Sequence, residues 1–346
     1  MSDFSFSIDG FDNQSRAGTI QTKNGEIKTP VFMPVGTLGS VKAVFPSSLL
    51  KLEIEIILSN TYHLMLRPGE DLIEKMGGLH NFINWKRPIL TDSGGFQVWS
   101  LSKLRKISED GINFKSHLDG KKYKLTPESS MLIQEKLNSD ISMVLDECTE
   151  HPATYQRAKE SMELSIRWAK RCKNSFNKRK GYGLFGIIQG GMFNDLRKKC
   201  SEELNNLDFE GYAIGGLSVG ENHCEMVEII ENIIHSMPLE KPRYLMGVGR
   251  PVDIFESVER GIDMFDCVLP TRFGRNGRAF TTVGEINLRN SKFNSDDSPL
   301  DENIDCEASK NFSKSYLHHL TKNNEILSSM ILSLHNIAFY KKMMSD

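Results

Sequence analysis

Three aspartates stand where an apolar run gives way to small and polar residues: Asp92-Ser93-Gly94-Gly95-Phe96-Gln97, Asp146-Glu-Cys-Thr and Asp266-Cys-Val-Leu-Pro. Gln189-Gly-Gly, Gly215-Gly216-Leu217-Ser and Gly247-Val-Gly end three further apolar runs. Two carboxylates can divide one reaction, one attacking a carbon as nucleophile and the other moving protons. A glycosidic carbon with oxocarbenium character suits such a pair. The other groups suit a purine-like base. Its N–H and exocyclic amine donate to a carboxylate, while its carbonyl edge needs a donor such as the Gln189 amide or the Gly216 N–H. Glycines let the backbone come close. Phe96 offers a flat face for stacking, and Met246 either covers the opposite face or belongs to the core. A single aspartate at a strand end also serves as a helix cap, so the convergence of the whole set is what favours a site. Neither the division of labour between the acids nor the exclusion of phosphate-bearing small molecules follows from residue types alone.

Such groups need a frame that brings distant segments to one place. Eight short apolar runs read as strands: Val31–Gly36, Ile56–Asn60, Pro88–Asp92, Ile141–Asp146, Leu184–Gln189, Tyr212–Gly216, Tyr244–Gly249 and Met264–Leu269. Helical patterns cover Thr126–Asn138, Pro152–Phe176, Phe193–Leu207, Glu221–Ile234 and Pro251–Arg260, and Trp168 in the second reads as core. Thr126-Pro127 is a cap followed by proline at the first helical position. Alternating strands and helices predict an α/β fold, a closed (β/α)8 TIM barrel, whose catalytic groups belong at the C-terminal strand ends. An open doubly wound sheet is disfavoured, because no Gly-x-Gly-x-x-Gly turn follows an early strand. The first 30 residues suit a hairpin capping the barrel bottom. Residues 1–346 are expected to form one catalytic barrel domain. A polar insertion at 97–125 follows strand three, with hairpin character near Ile112–Phe114 and Lys121–Leu125. A helical subdomain occupies about 287–346, with helix from Ser313 to Phe339 broken near Asn323-Asn324.

The chain has 346 residues, 39% hydrophobic and 25% charged, which suits a large buried core. Its formal net charge of -2 gives no global sign of a nucleic-acid partner, so any such surface must be local. One candidate is Thr271-Arg272-Phe273-Gly274-Arg275-Asn-Gly-Arg278, where flexible turns with arginines suit a phosphate backbone or splayed bases, or simply a solvated loop. A second is the set Lys103, Arg105, Lys106, Lys115, Lys121, Lys122 and Lys124 in the first insertion. His63 and His151 lie near strand ends, His63 more in keeping with a structural hydrogen bond, and of His318 and His319 at most one is expected to face the core. Six scattered cysteines without a CxxC pair suggest a reducing, cytoplasmic setting. No run approaches a membrane span, and the N-terminal stretch lacks the pattern of a secretion signal.

On these residues the chain resembles the bacterial tRNA-guanine transglycosylases, also called queuine tRNA-ribosyltransferases, from about Thr19 to Tyr340. The resemblance is carried by TDSGGFQVWSL at Thr91–Leu101, VLDECT at Val144–Thr149, FGIIQGG at Phe185–Gly191 and YAIGGLSVGE at Tyr212–Glu221. YLMGVGRP at Tyr244–Pro251 and ERGIDMFDCVLPTRFGRNG at Glu259–Gly277 extend it. It implies a glycosyltransferase of queuosine biosynthesis in tRNA. The enzyme would exchange the wobble guanine of GUN-anticodon tRNAs (Asp, Asn, His, Tyr) for 7-aminomethyl-7-deazaguanine, preQ1. Asp266 is then the nucleophile at C1′ and Asp92 the general acid/base. Ser93, Gly94, Gly95, Phe96, Asp146, Gln189, Gly216, Leu217 and Met246 surround the base. Gly247, Val248, Gly249, Arg250, Pro251, Val252 and Asp253, with Thr271, Arg272, Phe273, Gly274 and Arg275, resemble the segments that hold RNA. Val219 and Cys148 follow the bacterial, preQ1-using pattern rather than that of eukaryotic-type queuine users, whose bulkier base needs more room; a queuine-salvaging transglycosylase is the alternative. A cytoplasmic homodimer holding one tRNA is implied as well.

One part departs from the family. Its members carry Cys-x-Cys-x-x-Cys and a later histidine, a tetrahedral structural zinc set. Here the segment reads Ile304-Asp-Cys306-Glu-Ala-Ser309, with His335 downstream. Two remaining ligands do not close such a site. The expectation is no metal and no cofactor, with apolar packing by residues such as Ile304 and Phe312 instead. Asp305 or Glu307 as substitute ligands is the alternative. Loss of the metal set also keeps open a noncatalytic tRNA-binding homologue or accessory subunit. A different glycosyl-transfer enzyme would explain the acids but not the RNA-like segments.

Overall fold

The computed structural model describes residues 3–101 and 105–346; Lys103 lies outside them. Eight parallel strands form one sheet: β1 (Val31–Pro34), β2 (Ile57–Ser59), β3 (Ile89–Thr91), β4 (Ile141–Met143), β5 (Gly183–Ile188), β6 (Gly211–Ile214), β7 (Arg243–Leu245) and β8 (Met264–Cys267). From β2 to β8 each strand pairs with its sequence neighbour, and β8 pairs with β1. A parallel bridge between Val35 and Leu58 closes the ring. The strands are buried almost throughout, as expected for a parallel sheet covered by helices on its outside. All eight expected strands are present, but each stops short of its expected end. The polar residues that seemed to end the strands are the first residues of the loops.

The helices Pro127–Leu137, Tyr155–Ser175, Asn194–Asn205, His223–Ile233 and Pro251–Glu259 stand where the apolar periodicity puts them. Thr126 accepts from the Ser129 N–H and caps the first. Trp168 is fully buried. Four short helices, Pro46–Lys51, Thr61–Leu66, Glu70–Lys75 and Leu79–Ile83, fill the connections between β1 and β3. With five or six residues each, they are too short to show a period. Helix α1 (Gly95–Leu101) follows β3 directly and carries Phe96.

The N-terminal segment is a three-stranded meander, Ser5–Asp12, Ser15–Thr22 and Gly25–Thr29, rather than one hairpin. Side chains at the N-terminal ends of barrel strands fix it. Asp140, just before β4, accepts from the Asn24 N–H at 3.0 Å and its side-chain amide at 2.9 Å. Asp263, just before β8, accepts from Arg16 Nε at 2.8 Å. This end of the barrel is therefore closed by structure, and the opposite end is open.

After β8 comes helix α2 (Leu269–Arg275), then the hairpin Arg278–Thr281/Gly284–Asn287 and helices Glu307–Lys310, Lys314–Lys322 and α3 (Ile326–Ser345). The helix break near Asn323 is present. Ala279, Leu288, Phe293, Leu300, Ile304 and Leu317 lie in a second apolar cluster, against which Phe312 packs. His318 is buried and bonds the Leu288 carbonyl at 2.7 Å, while His319 faces solvent. Among the described residues no helix is long and apolar enough to cross a membrane.

Candidate functional site

A cavity of about 570 Å³ opens at the C-terminal ends of the strands. Asp92, Ser93, Phe96, Asp146, Gln189, Gly216, Leu217, Met246 and Asp266 all line it, as do Gly247, Gly249, Arg250, Asp253 and Arg272. Gly94, Gly95, Pro251, Val252, Thr271, Phe273, Gly274 and Arg275 do not, and neither does Val248. Its size suits a purine with an attached ribose rather than a polymer.

Asp266 ends β8. Its Oδ1 accepts from the Tyr244 hydroxyl at 2.6 Å and the Gly247 N–H at 2.7 Å. Burial raises its pKa above the ordinary carboxylate range, and those two donors pull it back. One oxygen is thus fixed, and among the described residues no donor is recorded to the other. Asp92 follows β3. Asn60 Nδ2 donates to its Oδ2 at 2.5 Å and the Thr61 N–H to its Oδ1 at 2.8 Å. Burial is the largest effect on Asp92 and pushes its pKa up to about 6, opposed by Asn60, Thr61 and Gln97 and assisted by the charge of Asp266. A carboxyl poised there can hold or release a proton near neutral pH.

Asp146 follows β4 and is buried. It accepts from Gln189 Nε2 at 2.7 Å and Ser93 Oγ at 3.3 Å. Burial raises it to about 6 as well, against the pull of those two donors. Gln189 thus has one amide hydrogen engaged by Asp146, and its Oε1 is buried with no partner in the protein. Gly216 adopts φ 65°, and a Cβ there would meet Gln189 Oε1 at 2.5 Å, so only glycine fits. Arg197 is fully buried beneath this turn and donates to the carbonyls of Gly191 at 2.7 Å and Gly215 at 3.0 Å. Phe96 stays half exposed, its ring 5.6 Å from that of Trp99. His63 lines the cavity with its pKa lowered, first by burial and then by His117 and Lys42.

Tyr244, Asn60, Thr61 and Arg197 were not expected. Each acts through a neighbour on another strand. Only one signal was available for Tyr244: on β7 it alternates with Met246 and so faces the same way. The segment after Asp266 also differs from its expectation. It is the helix α2, not a flexible turn. Pro270 opens it, and Arg272 and Arg275 sit one turn apart near its C-terminus, where positive charge is favoured. Thr271, Gly274 and Val248 are buried, and a Cβ on Gly274 would meet the Ser333 nitrogen at 2.5 Å. Gly274 thereby seats α2 closely on α3. Gly247, Arg250, Val252, Arg272 and Arg275 are the exposed members.

The residues at the family's zinc position do not fit a metal. Ile304 is buried in the apolar cluster. Ser309 Oγ bonds His335 Nδ1 at 2.9 Å, and His335 Nε2 bonds the Phe280 carbonyl at 2.7 Å, so both ring nitrogens are engaged. Burial lowers the His335 pKa to about 4, which keeps the ring neutral. Asp305 points outward and pairs with Lys310 at 2.7 Å, and Glu307 is exposed. Among the described residues no group of three or more His, Cys, Asp or Glu could hold a metal ion.

The family model described as queuine tRNA-ribosyltransferase matches residues 12–346. A protein of that name from Rickettsia massiliae is 55% identical over 345 residues, covering 100% of this chain and 96% of the relative. Those from Rickettsia bellii and Rickettsia akari are each 54% identical with the same coverage.

Proposed function

Because the chain belongs to the queuine tRNA-ribosyltransferase family of glycosyltransferases, we propose that it exchanges guanine 34 of GUN-anticodon tRNAs for preQ1. The observation that carries this reading is that Asp92 and Asp266 line one cavity together with the Asp146–Gln189 pair. Asp266 attacks C1′ of the flipped-out nucleoside and the glycosidic bond breaks. Asp92 delivers a proton to the departing guanine, leaving an ester between Asp266 and ribose. The incoming base enters the same cavity, loses its proton to Asp92 and attacks C1′, which frees Asp266. One glycosidic bond replaces another, so no energy source is needed.

Asp146 accepts from the N–H and amine edge of either base. The remaining Gln189 amide hydrogen and the Gly216 N–H serve the carbonyl. Phe96 and Met246 sandwich the ring, and the Leu217 carbonyl meets the aminomethyl arm. Val219 and Cys148 line the cavity and narrow it on that side, which favours preQ1 over queuine. Exposed Arg250, Arg272 and Arg275 hold RNA phosphates around the anticodon. The homodimer is part of the proposal. A groove of about 310 Å³ between Val44–Phe45 and α3 is mainly apolar, and Phe45 and Ile326 are exposed at 63% and 76%.

The test is release of labelled guanine from position 34 of a GUN-anticodon tRNA, with preQ1 and queuine in competition. Exchange with preference for preQ1 is expected, and so is a denaturation-resistant RNA adduct that Asp266→Asn lacks. Queuine winning would reassign the base. A folded protein that binds tRNA without exchange or adduct would favour the accessory-subunit reading, to which only the altered metal position points.

A further inference from the structure

The insertion after α1 takes no part in the chemistry above. Its strands Arg105–Ser108, Gly111–Lys115 and Lys122–Leu125 form an antiparallel sheet. Ile112, Phe114 and Leu125 are buried on the inner face. Arg105, Ile107 and Tyr123 share that face in register, and strand alternation puts Lys106, Asn113, Lys115, Lys122 and Lys124 outward. In register these make two rows, Lys106–Asn113–Lys124 and Lys115–Lys122. The outer face thus carries four lysines and no acid.

Its acids are confined to the turns. At the turn farther from the cavity, Arg167 pairs with Glu109 at 2.8 Å and Arg171 takes the Glu109 carbonyl at 2.6 Å. The exposed ion pairs Lys121–Asp119 and Lys124–Asp110 are long, 3.6 and 3.9 Å. Lys115 stands directly opposite Lys122, so two positive charges sit side by side across the strand pair. A polyanion laid along this face meets four lysine ammonium groups and no carboxylate on the same face.

The sheet is also fixed to the cavity rim. His117, in its other turn, bonds the Tyr62 hydroxyl at 2.8 Å. Tyr62 adjoins Thr61, which holds Asp92, and His63, which lines the cavity. Arg105 lies 5.9 Å over Trp99, the ring beside Phe96.

We infer that the outer face of this sheet binds the phosphodiester backbone of the substrate RNA, beyond the anticodon loop held by the cavity and the arginine rim. The inference rests on the base-exchange reading. Lysines on flexible stems give sequence-independent contact, which positions a stem without reading it. A local patch of this kind also reconciles an RNA substrate with a net charge of -2.

The test compares the wild type with the quadruple variant Lys106→Gln, Lys115→Gln, Lys122→Gln and Lys124→Gln. Affinity for intact tRNA is measured across a salt series, and exchange is measured on intact tRNA and on an anticodon-loop oligonucleotide. For the variant we expect a slope of log K on log salt shallower by about 2 to 3. We expect KM to rise roughly tenfold on tRNA and not on the oligonucleotide, with kcat and the melting temperature preserved. An unchanged salt slope, or equal KM changes on both RNAs, would overturn the surface. A wild type that binds tRNA but exchanges nothing would overturn the base-exchange reading, and the salt slope would still decide the surface.

Discussion

The open end of the barrel and the C-terminal subdomain use buried polar groups in opposite ways. In the cavity, Asp92, Asp146 and Asp266 are held by named donors while burial works against their charge. In the subdomain, two of the family's four ligand positions are now isoleucine and serine, and the histidine that remains is satisfied by hydrogen bonds. A group that must change charge or bond order during a reaction has no apolar substitute. A group that only ties two segments together does, since hydrogen bonds and packing also tie them. The lost metal ligands therefore say little about catalysis.

The sharpest way to break that contrast is to neutralise each region in turn. Asp266→Asn keeps shape and loses the nucleophile. Exchange should fall by at least about a thousand-fold with the adduct absent, while the melting temperature holds or rises. Asp92→Asn should lose turnover to a similar degree. Substantial exchange in a folded Asp266→Asn variant would remove the proposed chemistry.

On the other side, His335→Ala strands Ser309 Oγ and the Phe280 carbonyl in a buried place. Stability should drop by roughly 2 to 4 kcal/mol in chemical denaturation, with little change in exchange per folded molecule. Chelator should leave the wild-type melting temperature unchanged. The double variant Ile304→Cys/Ser309→Cys rebuilds Cys-x-Cys-x-x-Cys beside His335 and should melt in a zinc- and chelator-dependent way. Stoichiometric zinc in the wild type would sink the idea of a metal-free tie.

Smaller in effect is Tyr244→Phe. It removes one of two donors from Asp266, so the carboxylate pKa should rise. Exchange should slow about tenfold at pH 7, with the acidic limb of the pH profile moved upward. An unshifted limb would mean that Tyr244 serves packing alone.

Much of this frame was legible because strand ends advertise themselves. An apolar run followed by Asp-Ser-Gly-Gly or Gln-Gly-Gly marks both a barrel strand and the loop that carries its chemistry. Asp92, Asp146, Gln189 and Gly216 all lie within three residues beyond a strand end. What stayed illegible was set across the sheet. Nothing near Asp266 in sequence announces Tyr244, and nothing near Asp92 announces Asn60. Barrel closure brings them together. Helix α2 was misread because Gly274 and Asn276 look like turn residues, whereas Gly274 is needed for close contact with α3. The Ser309–His335–Phe280 tie was hidden for a similar reason. Apolar packing was expected there, but a hydrogen-bond acceptor on a distant strand cannot be read from the segment itself.

The finest comparison is by pH. Burial raises Asp92 and Asp146 to about 6 in the fold, above their unfolded value near 3.9. The folded state therefore binds their protons more readily, and each group adds stability as pH falls from 7 through 6. The gain by pH 5 is on the order of 1 kcal/mol per group. His335 is lowered to about 4, so the unfolded chain takes its proton first. Its contribution is present above pH 6.5 and is lost through the same window, by a similar amount. The two regions thus pull in opposite directions when the protein is acidified. Asp92→Asn removes one gain, so its melting temperature should fall relative to wild type between pH 7 and pH 5. His335→Gln removes the loss, so its relative melting temperature should climb over that interval. Exchange by the wild type should decline below about pH 6, because Asp146 as a neutral acid no longer accepts from both donors of the base. If both variants instead kept a constant offset from wild type across the window, the opposed burial of these charges would be wrong.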